Sequence, residues 1–242
     1  RRAGGSLAAL DRDFATFIRA KAKATAADAT WEKPPDDADA ATIRTWLEKH
    51  PKNYPGLQRL GARLIKEEKW ADAAATFQQL RAMYPEYIAG DNAYEYLAAI
   101  YRKTGKPAEE KAVLEEFAKR NSDAISTYQR LIEIAEAEKD WPAVVRNARR
   151  WLAVNPLTPA PHRALAKGAE GAKDGAEAMA AYQAVLRFGV PDTADVRYRL
   201  AVLLDEAGEW DKARREVLKS LEDAPRSRDA LDLLLKLSEK KP

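Results

Sequence analysis

The chain has 242 residues, of which 33% are charged, and its 41 basic residues nearly balance 38 acidic ones. A net charge of +3 with both signs interspersed argues against a nucleic-acid-binding protein, so we expect no nucleic-acid partner. The absence of cysteine excludes disulfides and thiolate metal sites, and no apolar run approaches the roughly 18 residues of a membrane span.

Residues 1–52 predict a degenerate helical hairpin that caps the rest of the chain. Segments 7–23 and 38–49 each carry an apolar stripe with helical spacing. Between them, 24–37 contains Trp31 and two prolines among small and acidic residues, which indicates a connector. Because the sequence begins with arginine rather than methionine, we expect it to be a piece of a longer protein.

Residues 54–85 contain the pattern that the rest of the chain repeats. Apolar and small residues fall three and four positions apart in two segments, on either side of the polar turn 66–70. Two short amphipathic helices joined in this way predict an αα-hairpin. Neither helix can bury its stripe alone, so we expect the hairpin to stack on copies of itself.

Equivalent positions of five successive copies lie about 34 residues apart. These positions are Leu57, Tyr94, Tyr128, His162 and Arg197. The predicted hairpins are 53–85, 86–122, 123–156, 157–191 and 192–225, followed by a capping helix within 226–242. Their predicted helices are 55–67, 70–83, 90–104, 107–120, 124–138, 141–154, 160–173, 175–188, 193–207 and 210–223, with 229–240 at the end. The first interval is longer than the others, and we place the excess in the loop 86–91.

This pattern resembles the tetratricopeptide repeat (TPR) family. Leu60 and Gly61 are similar to the family's Leu-Gly pair in the first helix. Tryptophans recur just after the turn, and small residues recur where the two helices of a hairpin touch. These residues are Trp70, Trp141 and Trp210, and Ala73, Ala178 and Ala213. The sequence departs from the family where Glu110 and Val144 replace that alanine and where Gly175 replaces the tryptophan.

The resemblance implies an all-α fold. We expect a right-handed α-α superhelix, a TPR solenoid of about five hairpins with N- and C-terminal capping helices. In this family the first helices of the repeats line a concave surface that holds an extended peptide or a partner helix. The family's groove positions follow the first core position of each repeat by one, five and eight residues.

These positions give the candidate partner-binding residues. They are Gln58, Glu95, Arg102, Gln129, Glu133, Arg163, Lys167, Tyr198 and Asp205. Gln58, Ala62 and Ala99 stand where chaperone-binding members carry a lysine and asparagine clamp, so we expect no specificity for chaperone tails.

The sequence contains no motif that predicts catalysis or a cofactor. Neither His50 nor His162 has a second ligand at a metal-binding spacing. Gly168, Gly171 and Gly175 lack the Gly-Lys-Ser/Thr ending of a phosphate loop, and we attribute them to close helix packing and a loosened turn. We therefore predict that this chain is not an enzyme and has no cofactor.

Two functions remain open from the sequence. The leading hypothesis is a non-catalytic protein–protein interaction module or scaffold that binds its partner on the concave face. The alternative is the C-terminal arm of a bacterial zinc-peptidase-like hydrolase, because 10–14 and 31–34 are similar to junctions in such proteins. RNA or membrane-surface binding is least favoured, since basic residues do not concentrate on one predicted face. We favour a monomer, although a second subunit could equally be covered by Phe14, Phe17, Trp31 and Trp46. The sequence leaves open whether the protein is cytoplasmic or exported in bacteria.

Overall fold

The computed structural model describes residues 6–26, 32–191 and 193–240, which form thirteen helices and no strand. Trp31, predicted to lie in the connector, is outside the described residues. The helices are α1 (Leu7–Ala26), α2 (Ala40–Lys49), α3 (Tyr54–Lys66), α4 (Trp70–Met83), α5 (Ala93–Lys103), α6 (Pro107–Arg120), α7 (Ile125–Glu138), α8 (Trp141–Val154), α9 (Pro159–Gly171), α10 (Gly175–Arg187), α11 (Ala194–Glu206), α12 (Trp210–Asp223) and α13 (Arg228–Ser238).

The chain divides into two compact units, residues 1–113 and 114–242. In the first unit, α2 packs on α3, α3 on α4, and α4 on α5. In the second unit, each helix from α7 to α13 packs on the next one along the chain, and α13 also contacts α11. This succession of helical hairpins confirms the all-α repeat fold. The predicted boundaries between caps and repeats stay a prediction.

The five hairpin turns share one backbone geometry. Each contains a left-handed residue two positions before the second helix begins, and these residues are Glu68, Gly105, Lys139, Lys173 and Gly208. In every turn, the amide of the next residue bonds back to the carbonyl five positions earlier, as in Lys69 to Leu64 at 2.9 Å and Glu209 to Leu204 at 2.8 Å. This is the Schellman motif, which ends a helix and satisfies its last carbonyl groups. The repeat is therefore preserved in the backbone even where the family's side chains are lost.

A small residue on the first helix of a hairpin lets the second helix approach closely. The fully buried ring of Phe77 lies against Gly61, where an added Cβ would come within 2.5 Å of the ring. Gly171 of α9 faces Trp141 of α8, in the preceding hairpin, and an added Cβ would lie 2.3 Å from the indole. The prediction that Gly171 serves close helix packing is thus confirmed.

The two departures from the family's small residue are accommodated differently. Val144 is fully buried, and its Cγ1 would lie 2.7 Å from a Cβ at Gly168, so a glycine on α9 offsets the larger side chain on α8. Glu110 is only 1% exposed, and its Oε1 accepts a hydrogen bond of 2.8 Å from Arg102 Nε. A buried carboxylate is tolerated because it is paired and hydrogen-bonded.

The two N-terminal helices differ in whether their apolar faces are buried. Ile43 and Leu47 of α2 are buried. By contrast, α1 exposes five large apolar side chains by 46–81%: Leu7, Leu10, Phe14, Phe17 and Ile18. At the other end, α13 buries Leu233 and Leu237 and leaves Leu231 and Leu235 exposed.

Candidate partner-binding surface

The nine candidate residues lie on the first helices of the hairpins, α3, α5, α7, α9 and α11. We call the non-buried predicted positions of these five helices the first-helix surface and describe it separately in each unit. The structure gives the candidates unequal surroundings, and hydrogen bonds within the chain engage several of them.

In the first unit, Gln58 and Glu95 lie next to the loop that precedes α5. Gln58 Nε2 donates a hydrogen bond of 2.9 Å to the backbone oxygen of Asp91, which has a left-handed φ of 58°. Asn92 caps α5 by accepting from the amide of Glu95, and its own side-chain amide donates to Glu95 Oε2 at 2.9 Å. The two candidates are thus brought together around Asp91.

Tyrosines surround this point. The rings of Tyr54 and Tyr87 lie 4.8 Å apart, and Tyr96 stacks on Phe77 at 4.4 Å. The Tyr96 hydroxyl donates to Asp91 Oδ1 at 3.4 Å. We call Tyr54, Tyr87, Tyr96, Asp91 and Glu95 the Tyr–Asp cluster.

Electrostatics in the Tyr–Asp cluster disfavour further negative charge. Partial burial, followed by the nearby Asp91 carboxylate, raises the pKa of Glu95. Burial and then the charge of Asp91 likewise raise the pKa of the Tyr96 hydroxyl. Both shifts have the direction expected where carboxylates lack a neighbouring positive charge.

Among the candidates of the first unit, Arg102 forms an ion pair with a carboxylate in the protein core. Its guanidinium binds the buried Glu110 of α6, although 53% of its own side chain stays exposed. Removing this arginine would take a cationic partner away from a buried carboxylate. A structural role therefore accounts for the charge at position 102.

In the second unit, ion pairs connect successive first helices. Glu136 of α7 binds Lys167 of α9 at 2.5 Å, and Glu170 of α9 binds Arg199 of α11 at 3.1 Å. Asp205 of α11 binds Lys236 of α13 at 2.8 Å. Each pair places a carboxylate on one helix and a base on the next first helix or on α13, so these charges neutralise one another.

Asp205 is a structural residue of this series. It is 6% exposed and accepts hydrogen bonds from Lys236 of α13 and from Lys240, which follows α13. Burial opposes its ionisation, but the hydrogen bonds and charges of Lys236 and Lys240 outweigh burial and lower the pKa of the carboxyl. Asp205 thus stabilises the packing of α13 on α11 through these ion pairs.

The remaining candidates differ in accessibility. Gln129 and Glu133 are exposed, and Glu133 pairs with Arg130 on its own helix at 2.7 Å. Arg163 is half-buried. Tyr198 is half-buried, and burial, then Asp229, raises the pKa of its hydroxyl.

Neither histidine has the surroundings of a metal ligand. His50 stacks on Trp46 with ring centroids 4.1 Å apart, and His162 Nε2 lies 3.0 Å from the carbonyl oxygen of Pro156. Within the described part of the chain, no three His, Asp or Glu side chains converge in a way that would hold a metal ion. Nor does any described helix combine the length and apolarity of a membrane span.

Sequence reasoning missed the Tyr–Asp cluster. Tyr54, Tyr87 and Asp91 lie outside the three groove positions that the family resemblance supplies. The available signal was the lengthened loop 86–91, which contributes Tyr87 and Asp91, together with a local excess of tyrosine. The tyrosines concerned are Tyr84, Tyr87, Tyr94 and Tyr96.

Residues 169–237 match a sequence model of the family described as tetratricopeptide repeat. This segment therefore belongs to the tetratricopeptide repeat family. The match covers the last repeats and supports the predicted family there, and the same turn geometry recurs in the other hairpins of the described chain. Among curated proteins, no sequence matches.

Solved structures share the TPR fold at low sequence identity. YrrB, described as a TPR protein with an unusual peptide-binding site, is 14% identical with a TM-score of 0.58, over 80% of this chain and 97% of YrrB. A chain of the Naa15/Naa10 complex bound to HypK-THB is 12% identical with a TM-score of 0.66, over 81% of this chain and 30% of that one. MamA from Desulfovibrio magneticus RS-1 is 10% identical with a TM-score of 0.50, over 72% of this chain and 97% of MamA. These likenesses concern the fold alone, and they give no support to an arm of a zinc-peptidase-like hydrolase.

Proposed function

We propose that this TPR chain is a non-catalytic interaction module that binds a peptide or a helix of another protein on its first-helix surface. The observation that carries the proposal is the repetition of one turn geometry in all five hairpins. A repeated hairpin presents equivalent side chains on successive first helices, which suits a ligand that is itself extended.

The nature of the exposed side chains supports the same proposal. Gln129 and Glu133 offer hydrogen-bonding groups that remain accessible, while Tyr198 offers part of an aromatic ring. Aromatic anchors surrounded by polar groups are typical of protein interfaces. The peptide-binding site in the description of YrrB and the bound HypK in the Naa15/Naa10 structure are properties of those proteins that agree with this assignment.

The test begins with selection of 12-residue peptides from a random phage-displayed library on the folded chain. Affinities are then measured for the wild type and for Gln129→Ala and Tyr198→Ala on first helices. The matched control is Arg146→Ala, an exposed residue of the second helix α8. We expect at least one first-helix variant to weaken binding about tenfold, as truncation of an interface anchor does. Failure to select any peptide, or equal losses in the control, would contradict the proposal.

A further inference from the structure

We propose that the Tyr–Asp cluster of the first unit binds a basic side chain, lysine or arginine, of the partner protein. The inference rests on the proposed function and adds the chemistry of one contact. It stands on three features of the described residues: unpaired carboxylates, an accessible aromatic surface, and negative charges that the fold itself does not require.

The two carboxylates have no cationic partner among the described residues. Asp91 Oδ1 accepts only the 3.4 Å hydrogen bond from Tyr96, and Glu95 accepts from the neutral amide of Asn92. Carboxylates of the first-helix surface in the second unit, such as Glu136 and Glu170, do form ion pairs with a neighbouring helix. The Tyr–Asp cluster therefore carries a local negative charge that a ligand cation would neutralise.

The aromatic groups supply a second attraction for the same ligand. Tyr87 is 41% exposed, and its ring lies against that of Tyr54. The face of a tyrosine ring attracts an ammonium or guanidinium group within about 6 Å. A lysine or arginine can lay its aliphatic stem on such rings while its charged end meets the carboxylates.

The helix dipole favours an acid in the first turn of α5, where Glu95 lies, but the hydrogen bonds and the backbone conformation at positions 91 and 95 do not require a negative charge. Position 91 requires a residue that tolerates a positive φ, and asparagine does so at least as well as aspartate. At position 95 the side chain accepts a hydrogen bond from the side-chain amide of Asn92, the N-cap of α5, and the amide oxygen of glutamine can accept the same bond. The sequence nonetheless carries an acid at both positions, where the charges repel each other, which is the arrangement expected of a site for a cation.

The test uses the double variant Asp91→Asn/Glu95→Gln, which removes both charges and keeps both side-chain shapes. The matched control is Asp37→Asn/Glu48→Gln, which removes the same charge from two exposed residues near or on α2. The probes are acetylated and amidated 12-residue Gly-Ser peptides that contain two arginines, two lysines or two glutamines. Binding is followed by fluorescence anisotropy and by amide shifts of the labelled chain, and thermal unfolding is recorded for each variant.

We expect the arginine and lysine peptides to bind at least fivefold more tightly than the glutamine peptide, with amide shifts around Asp91. The double variant should abolish this preference, while the control retains it and both unfold like the wild type. Equal binding of all three peptides, no binding of the basic ones, or an unchanged preference in the double variant would overturn the inference. A library that yields first-helix-binding peptides insensitive to Asp91→Asn/Glu95→Gln would refute the inference and leave the proposed function standing. Failure to select any peptide would instead refute the proposed function.

Discussion

Lys139 occupies the left-handed position of the turn between α7 and α8, with φ of 56°, where Gly105 and Gly208 stand in other hairpins. A residue with a Cβ is strained in this conformation by about 1 kcal/mol relative to glycine. We predict that Lys139→Gly stabilises the chain by about 0.5–1 kcal/mol, measured by urea unfolding. Gly208→Ala is the opposite change at the equivalent position and should destabilise. A loss of stability in Lys139→Gly would show that the lysine side chain contributes more than its backbone strain.

Variants at Val144 and Gly168 test whether the glycine on α9 makes room for the larger side chain on α8. An added methyl at Gly168 would overlap Val144 Cγ1, so Gly168→Ala should destabilise by about 1–3 kcal/mol. The additional change Val144→Ala should restore part of that loss, since it removes the overlapping methyl groups. Gly90→Ala is the control, because nothing lies within 4 Å of its added Cβ. Strictly additive losses in the double variant would rule out the compensation.

The ionisation of Asp205 makes the free energy of unfolding depend on pH. Because its pKa is lower in the folded chain than in the unfolded one, its contribution is fully present above the ordinary carboxyl pKa of about 3.9. It is lost as the pH falls through the folded pKa. We predict that Asp205→Asn costs about 1–3 kcal/mol at pH 7, since hydrogen bonds to charged groups are removed, and that the gap to wild type narrows below about pH 3.9. Chemical unfolding at several pH values would measure this difference, and a gap independent of pH would refute the ionic contribution.

At the scale of the helix, α1 and α2 show that an apolar stripe alone does not imply burial. Phe14 of α1 is 64% exposed, whereas Ile43 of α2 is fully buried. We predict that Ile43→Ala destabilises the chain by about 2–5 kcal/mol and that Phe14→Ala changes stability by less than about 0.5 kcal/mol. Thermal unfolding of the two variants makes the comparison. A comparable loss in Phe14→Ala would mean that α1 packs against the chain.

The sequence predicted the helices well where core spacing and turns agree. Segment 141–154 was predicted as a helix and is one, because tryptophan follows a Schellman turn at its start. Predicted helix 160–173 instead ends at Gly171, since Lys173 adopts a left-handed φ that nothing in a lysine indicates. Predicted helix 90–104 begins at Ala93, because Asn92 is the N-cap and its side chain accepts a hydrogen bond from the amide of Glu95.

The candidate surface was less predictable than the fold. Spacing identifies which residues share the exposed side of a first helix, but it does not reveal their partners on other helices. The pairs Glu136–Lys167 and Asp205–Lys236 join residues about one repeat apart, at a separation that depends on how hairpins stack. The Tyr–Asp cluster depends likewise on a loop conformation that the repeat does not specify.

At the scale of the whole molecule, each of the two units is stabilised by the packing of successive helices, and we propose that the first helices bind the partner. Both classes of helix contribute buried side chains, such as Leu97 of the first helix α5 and Phe77 of the second helix α4. Because only the first helices form the proposed binding surface, the two classes of helix should respond differently to a ligand. A partner would slow local opening where it binds and leave the other helices nearly unchanged.

Hydrogen–deuterium exchange measured by mass spectrometry, with and without a selected peptide, tests this claim most directly. We predict slowed exchange in segments from the first helices α3, α5, α7, α9 or α11 and in the loop at Asp91. Slowed exchange confined to the second helices α4, α6, α8, α10 and α12 would contradict this prediction.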